Sequence, residues 1–209
     1  MAARGWRFLA ATPAILLLAA APAAADMRLL APCDGDCAVA VYGGTYVENS
    51  MERILLTDPE PPWTWDYRDD HILALTLSRQ VATLGRGFTV EAEVGLGKRF
   101  GRQSETEVWG AAYLRYRGFP WDRFLVTSVA VSTGLNYASD ISDVERNRAR
   151  DDTGDRLMHF FSPEITFALP EAPNREILFR LHHRSGVFGL VSDAWGGVQY
   201  GSIGIRYRF

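Results

Sequence analysis

The sequence predicts an all-β fold, specifically an eight-stranded antiparallel transmembrane β-barrel, from three observations. Of the 209 residues, 47% are hydrophobic and 12% aromatic, which argues against a disordered chain. Beyond the N-terminal region, no apolar run reaches the roughly 18 residues that a transmembrane helix needs. Instead, apolar and polar residues alternate with period two in segments that are bounded by Gly, Pro, Asp and Asn, which is typical of strands. These segments are about as long as the 9–11 residues that a tilted strand needs to cross a bilayer.

The N-terminal residues 1–25 have the features of a secretory signal peptide. A short positive region precedes an apolar core over residues 10–21, and the small residues Ala23-Ala24-Ala25 follow it. We therefore exclude this segment from the fold. The barrel is expected over 26–209, with 26–36 as a short periplasmic segment, and the expected location is the bacterial outer membrane.

The two cysteines of the chain, Cys33 and Cys37, enclose three residues. In an exported chain a small local disulfide is the expected state of such a pair. A metal site is not expected, because two thiols without nearby His supply too few ligands.

The alternating segments form a regular series along the mature chain. Strands are predicted over residues 37–48, 71–82, 87–99, 105–117, 124–138, 156–169, 175–185 and 197–209. Long intervals at 49–70 and 139–155 contrast with short ones at 83–86, 118–123 and 170–174. Short turns at one end and long loops at the other are typical of bacterial barrels, which have an even number of strands. The short loop after the third strand departs from that pattern.

The two faces of each predicted strand differ in character. In the third strand Phe88, Val90 and Val94 share one face, whereas Glu91 and Glu93 share the other. A membrane barrel turns such an apolar face to lipid and packs its polar side chains inside, whereas a soluble β-sandwich, the alternative, turns it inward. Charges of both signs recur on the polar faces and are expected to pair in a narrow lumen: Glu91, Glu93, Glu107, Arg115, Glu164, Arg180, Arg206 and Arg208.

Two further features favour the membrane interpretation. Aromatic residues collect near strand ends, as interfacial girdles do: Tyr113, Tyr116, Phe119 and Trp121. The chain also ends on Phe209, as outer-membrane barrels commonly do. A net charge of −3 argues against a general nucleic-acid binder, and a pore is not expected because side chains fill the interior of eight strands.

The strongest candidate for chemistry lies on the seventh predicted strand. There the apolar outward face of Ile177, Phe179 and Leu181 continues to His183 and Ser185. Alternate residues of a strand lie about 6–7 Å apart, so the imidazole can lean toward the hydroxyl. A His acting as general base is the usual means of making a Ser nucleophilic, and an outward position suits an ester-containing lipid substrate.

A third residue is expected to hold the imidazole. Gln199 on the last strand falls on the same face near the same rim, and a Gln can accept a hydrogen bond from an imidazole N–H but carries no charge. The alternative is that His183, Ser185 and Gln199 are hydrogen-bonding rim residues in the headgroup zone. His182 is expected in the lumen or at the rim, and His71 and His159 are expected to be interfacial and non-catalytic.

The final third of the chain resembles the lipid A 3-O-deacylase (PagL-type) family of outer-membrane barrels. The matching features run from about Glu164 to Phe209: a strand ending in His183-x-Ser185, a Gly-containing loop, and a terminal strand beginning Gly197-Val198-Gln199. The resemblance implies a barrel that cleaves the ester-linked acyl chain at the 3-position of lipid A. Family members use a Ser nucleophile, a His base and a Glu that orients the His.

Carried over by position, the resemblance assigns Ser185 as nucleophile and His183 as base. The family Glu falls on Gln199, or less well on Asp193, so this chain departs from the pattern at that place. The family also tends to have Asn after the Ser, where this chain has Gly186.

The remaining expectations concern the groups that stabilise the oxyanion and the role of Arg184. Backbone N–H groups of Gly186 or Val187 are expected to stabilise the oxyanion in place of the missing Asn. Arg184 is expected either to bind a lipid phosphate, which suits a guanidinium, or to form an ion pair at the rim. No metal or cofactor is needed for this chemistry.

A second hypothesis is a non-enzymatic structural or adhesive barrel that uses the long loops 49–70 and 139–155 as its interaction surface. Under the first hypothesis the expected partners are lipid A or lipopolysaccharide and the outer membrane, without nucleic acid, and homodimerisation stays open.

Overall fold

The computed structural model describes residues 32–148, 154–187, 189–192, 194 and 196–209. The predicted signal peptide lies outside these residues. The strands are β1 (Cys37–Val47), β2 (Tyr67–Gly85), β3 (Phe88–Gly101), β4 (Thr106–Arg117), β5 (Val126–Ala138), β6 (Leu157–Phe161), β7 (Glu164–Ala168), β8 (Arg175–Ser185) and β9 (Gly197–Arg208). Three short helical segments lie between strands: a π-helical turn (Arg53–Thr57), a 3₁₀ turn (Pro62–Thr64) and α1 (Asp143–Arg148).

The strands close into a ring in which every pairing is antiparallel. β1 pairs with both β2 and β9, and β4 pairs with both β3 and β5. β6 and β7 follow one another between β5 and β8, so together they occupy a single position. The ring therefore has eight positions, which confirms the predicted all-β antiparallel fold.

The predicted strand 156–169 is interrupted at Ser162–Pro163, between β6 and β7. Proline has no N–H to donate to a ladder, so it breaks or bends a strand. The backbone N–H of Leu181 on β8 still bonds the Pro163 carbonyl at 3.0 Å. The break is therefore local and the neighbouring strands stay in register on both sides.

Large apolar side chains on the outer face of the ring are 43–67% exposed. They form a belt around several strands: Leu73, Leu75, Leu77, Val94, Leu96, Val131, Leu135, Ile177, Phe179, Ile203 and Ile205. A contiguous apolar surface of this extent is rare on soluble monomers and marks contact with another apolar phase. The outer face is therefore suited to lipid.

None of the helices in the described part of the chain has the length and apolar character needed to span a membrane.

The lumen is filled by paired charges rather than by apolar side chains alone. Glu164 accepts hydrogen bonds from Arg115 at 2.7 Å, from Arg180 at 2.6 Å and from Arg206 at 2.6 Å. Arg180 also donates to both carboxylate oxygens of Glu93, at 2.9 and 2.8 Å. These side chains are buried, and a buried charge is tolerated only with such partners. The prediction that the charges of the polar faces pair in the lumen is confirmed.

Tyr113 does not belong to an interfacial girdle, in contrast to the sequence expectation. It is 1% exposed and donates to Glu93 Oε1 at 3.1 Å inside the lumen. Tyr113 has the same strand parity as Arg115, so the alternation of β4 turns it inward although it lies near a strand end. Phe119 does stack on Trp121, with ring centroids 4.8 Å apart, beside the short turn after β4.

Helix α1 packs into the mouth of the ring at the long-loop end. Its residue Glu145 is 1% exposed and contacts Arg99 Nη2 at 3.3 Å and Arg184 Nε at 3.4 Å. The described part of this loop therefore covers the luminal network and adds the Glu145 carboxylate to it.

A disulfide joins Cys33 to Cys37 at the opposite end of the ring. Beside it, Asp36 pairs with Arg79 of β2 at 2.9 Å. The backbone N–H of Asp34 and the Arg79 guanidinium hold the pKa of the Asp36 carboxyl below its ordinary value. This cluster fixes the start of β1 against β2.

Candidate active site

Strand β8 presents two different faces near its C-terminal end. His182 and Arg184 are 0% exposed and lie in the lumen, whereas His183 and Ser185 are half-buried on the outer face. His182 Nδ1 lies 2.8 Å from Tyr42 Oη, and its Nε2 lies 3.1 Å from Glu107 Oε2. The adjacent histidines thus have separate environments, with His182 in the lumen and His183 on the side of the apolar belt.

Gln199 lies directly opposite His183 on β9. Its Oε1 is 3.1 Å from His183 Nδ1, and its Nε2 donates to the backbone carbonyl of Asn49. Because only the amide nitrogen can donate to a carbonyl, Oε1 must be the atom that accepts from the imidazole. The proton of neutral His183 then lies on Nδ1 and the lone pair on Nε2, which is the tautomer that a general base needs.

Ser185 lies two positions beyond His183 on the same outer face. Its partners across the strands are Gly197 on β9 and His159 on β6. A Cβ at position 197 would lie 2.8 Å from Ser185 Cβ and 2.3 Å from the Arg184 carbonyl. Glycine is therefore required at position 197, because β9 approaches β8 closely at Ser185.

The backbone turns sharply after Ser185. A Cβ on Gly186 would lie 1.9 Å from the Ala194 carbonyl oxygen, so this position admits only glycine. Val187 follows in the left-handed region with φ +52°. That conformation is uncommon for a β-branched residue and costs about 1–3 kcal/mol. Such strained backbone often lies at functional sites, where it aims groups that regular strands cannot aim.

Arg184 is not exposed to lipid phosphate. Its side chain is fully buried, and Nη2 donates to the carbonyls of Asp155 at 2.8 Å and Arg156 at 2.9 Å. With Glu145 3.4 Å from its Nε, it matches the ion-pair alternative of the two roles that the sequence left open. The reason is the parity of β8, which turns Arg184 into the lumen between two outward residues. Asp193, the other candidate for the family Glu, lies outside the described residues.

An apolar cavity of about 700 Å³ lies on the outer face and reaches Leu181, two positions before His183 on β8. Phe179, Leu181 and Ile203 form its floor, and the loop between β1 and β2 forms its roof with Pro62, Trp63 and Trp65. Leu181 points outward but is only 5% exposed, since this loop lies over the strands there.

Gly201 allows the loop to approach β9. A Cβ there would lie 3.0 Å from the Trp65 ring and 3.2 Å from Tyr67 Oη. The same loop supplies the Asn49 carbonyl that holds Gln199. The loop between β1 and β2 therefore orients Gln199, which bonds the imidazole, and also encloses the cavity.

Sequence reasoning missed this cavity roof. The signals present were the Trp63-Thr64-Trp65 triplet and the preceding proline pair in the first long loop, but the contacts of that loop with β8 and β9 are long-range and leave no periodic pattern.

Comparison with known proteins supports the fold. No protein-family model matches the chain, and no curated protein matches it. Among solved structures, the outer membrane enzyme PagL superposes with a TM-score of 0.57 at 11% sequence identity, over 82% of this chain and 99% of that chain. Neisserial surface protein A (NspA) gives a TM-score of 0.48 at 10% identity, over 84% of this chain and 98% of that chain. Sequence identity this low shows the fold alone. The similarity to PagL, together with the closed antiparallel ring and its apolar outer belt, shows that this chain has the fold of the outer-membrane β-barrels.

Proposed function

We propose that this protein is an outer-membrane esterase that hydrolyses an ester-linked acyl chain of lipid A, as the lipid A 3-O-deacylases do. The observation that carries the proposal is the hydrogen bond between His183 Nδ1 and Gln199 Oε1 on the lipid-facing side, with Ser185 two positions along the strand. A membrane location follows from the proposal, since lipid A resides in the outer membrane. Nothing supports a homodimer, and the proposal does not include one.

The reaction follows from the roles of these side chains. The Ser185 oxygen attacks the acyl carbonyl carbon while His183 Nε2 takes the hydroxyl proton, and Gln199 holds the imidazole through Nδ1–H. The carbonyl electron pair moves to oxygen, where the backbone N–H groups of Gly186 and Val187 are the candidate donors. Collapse of this intermediate expels the sugar oxygen, which takes the proton from His183. Water then hydrolyses the acyl-enzyme by the same steps.

The cavity supports a lipid substrate. Its lining includes Leu181, two positions before His183 on the same face of β8, and is largely apolar, and it opens on the face that is suited to lipid. An acyl chain bound there gains from apolar burial, and its ester lies at the rim where Ser185 and His183 meet interfacial water. A substrate of this kind reaches the site laterally without leaving the membrane.

The test is mass spectrometry of lipid A from Gram-negative cells that produce the protein. We expect a new species that has lost one ester-linked acyl chain, and we expect the same species from a His71→Ala variant, which removes an outer-face imidazole remote from Ser185. If lipid A keeps its full acylation while the protein is abundant and folded in the outer membrane, the proposal is wrong.

Replacing Gln199 by Glu is expected to increase the rate at which a serine-reactive lipid probe labels Ser185 by about 10²-fold. A carboxylate stabilises the imidazolium, and loss of the acid from such a triad costs about 10⁴ elsewhere. Against this, the carboxylate loses the hydrogen bond to the Asn49 carbonyl, which costs about 1–3 kcal/mol or roughly 10–10²-fold. The charge effect is the larger one. Labelling no faster than in a Gln199→Leu variant would contradict the role given to this residue.

An adhesive barrel is the second candidate. Three apolar side chains in the loops, Leu56, Trp63 and Leu190, are 77–83% exposed, which is typical of a surface that contacts a partner. This function predicts that partner binding falls when residues 49–66 are shortened and that His183→Ala has no chemical consequence.

A further inference from the structure

A second imidazole lies across from the candidate nucleophile. In the β6–β8 pairing, His159 is the direct partner of Ser185, and Phe161 is the partner of His183. On β6 the side chains of Met158 and Phe160 are fully buried, whereas His159 is half-buried. His159 therefore shares the outer face with Ser185.

The register places the two side chains close together. Directly opposed residues on one face of an antiparallel pair have Cβ atoms about 4.5–5.5 Å apart. Ser185 thus lies between two imidazoles, with His183 on its own strand and His159 on the next. His183 already has the contact and the tautomer that a base needs, so a second base at this position would be redundant.

His159 is held from the side away from Ser185. Its Nε2 lies 2.9 Å from the Thr133 hydroxyl on β5, and β6 separates β5 from β8 at this level. If the hydroxyl donates to Nε2, the proton of the neutral imidazole is on Nδ1, which makes Nδ1 a hydrogen-bond donor. A neutral imidazole with a fixed N–H is an effective electrophilic group.

We propose that His159 donates from Nδ1 to the carbonyl oxygen of the ester that Ser185 attacks. This inference rests on the proposed function. The His159 N–H would replace the side-chain donor that the resembling family has after the nucleophile, where this chain has Gly186. In the attack, the Ser185 Oγ–C bond forms, the Ser185 proton passes to His183 Nε2, and the carbonyl π-electrons move to oxygen. His159 keeps its proton and hydrogen-bonds the resulting oxyanion.

The experiment measures hydrolysis of 4-nitrophenyl laurate by the full-length mature barrel, refolded in detergent micelles, together with labelling of Ser185 by a fluorophosphonate. In His159→Ala we expect kcat to fall by about 10²–10³, as removal of one oxyanion donor does elsewhere, with KM changed little. His159→Gln keeps an N–H donor and should recover part of that loss. Thr133→Val, which removes only the orienting hydroxyl, should lower kcat by roughly 10-fold.

The matched control is His71→Ala. His71 Nδ1 lies 3.2 Å from the Thr45 hydroxyl on the outer face of β1 and β2, so this pair reproduces the His–Thr contact away from Ser185. Its kcat should stay at the wild-type value. Heat-modifiable gel migration verifies that each variant is folded, and Thr133→Val keeps the test informative if His159→Ala does not fold.

The outcomes separate the two proposals. An active wild type with wild-type kcat in His159→Ala and Thr133→Val overturns only the role of His159. A folded wild type that neither hydrolyses the ester nor reacts with the fluorophosphonate overturns the proposed function and this inference with it.

Discussion

Replacing Ser185 by Ala is expected to lower the rate of lipid A deacylation by about 10⁴–10⁶, as loss of a serine nucleophile does in other hydrolases. The hydroxyl is the only atom of that side chain that reacts, and alanine leaves the strand and its outward parity unchanged. The measurement is release of acyl chain from purified lipopolysaccharide by the folded barrel in detergent. Fluorophosphonate labelling of the same sample should disappear in parallel.

The control for this variant is Ser104→Ala, an exposed serine in the short loop after β3, which should keep the wild-type rate. His183→Ala should lose nearly as much activity as Ser185→Ala, and the double variant should lose little more, because residues that act as one unit are not additive. If Ser185→Ala retains more than a tenth of the wild-type rate, a different nucleophile carries out the reaction.

The period-two alternation was sufficient to predict the ring and the outward positions of His183 and Ser185. Exchanging the two faces of β8 by one residue would have moved both side chains into the lumen. The charged residues on the opposite face must be buried and paired, however, so only one of the two faces can point outward. The pairing of His183 with Gln199 also followed, because β8 and β9 are consecutive antiparallel strands joined by one loop.

The rest of the candidate site depends on contacts between distant parts of the chain. The roof of the cavity and the Asn49 carbonyl come from a loop whose position is set by packing on β8 and β9. The pairing of His159 with Ser185 depends on the register between β6 and β8, which is the same on both sides of the break at Ser162–Pro163. Neither contact has a local pattern, since a strand's sequence records its faces but not its partners.

The luminal network fixes the strand that carries the site. Arg180, His182 and Arg184 hold β8 from inside at alternate positions, while Leu181, His183 and Ser185 occupy the outer positions between them. Each inward anchor limits movement of the outward residues beside it. Stability of the network and geometry of the site are therefore coupled through one backbone.

Glu164→Ala is expected to reduce the free energy of unfolding by about 3–5 kcal/mol, the cost of leaving buried charge uncompensated. Glu164 accepts from Arg115, Arg180 and Arg206 together, so its removal leaves three buried guanidinium groups with fewer acceptors. The measurement is urea unfolding of the barrel in lipid vesicles, followed by tryptophan fluorescence.

Two matched variants test whether the charge is the cause. Glu171→Ala, in an exposed turn, should change the unfolding free energy by less than about 0.5 kcal/mol. Glu164→Gln keeps the volume and an acceptor oxygen but removes the charge, so it should fall between wild type and Glu164→Ala. If Glu164→Ala unfolds at the wild-type urea concentration, the guanidinium groups must obtain compensation from Glu91, Glu93 and Glu176 alone, and the anchoring of β8 through Arg180 would then not depend on Glu164.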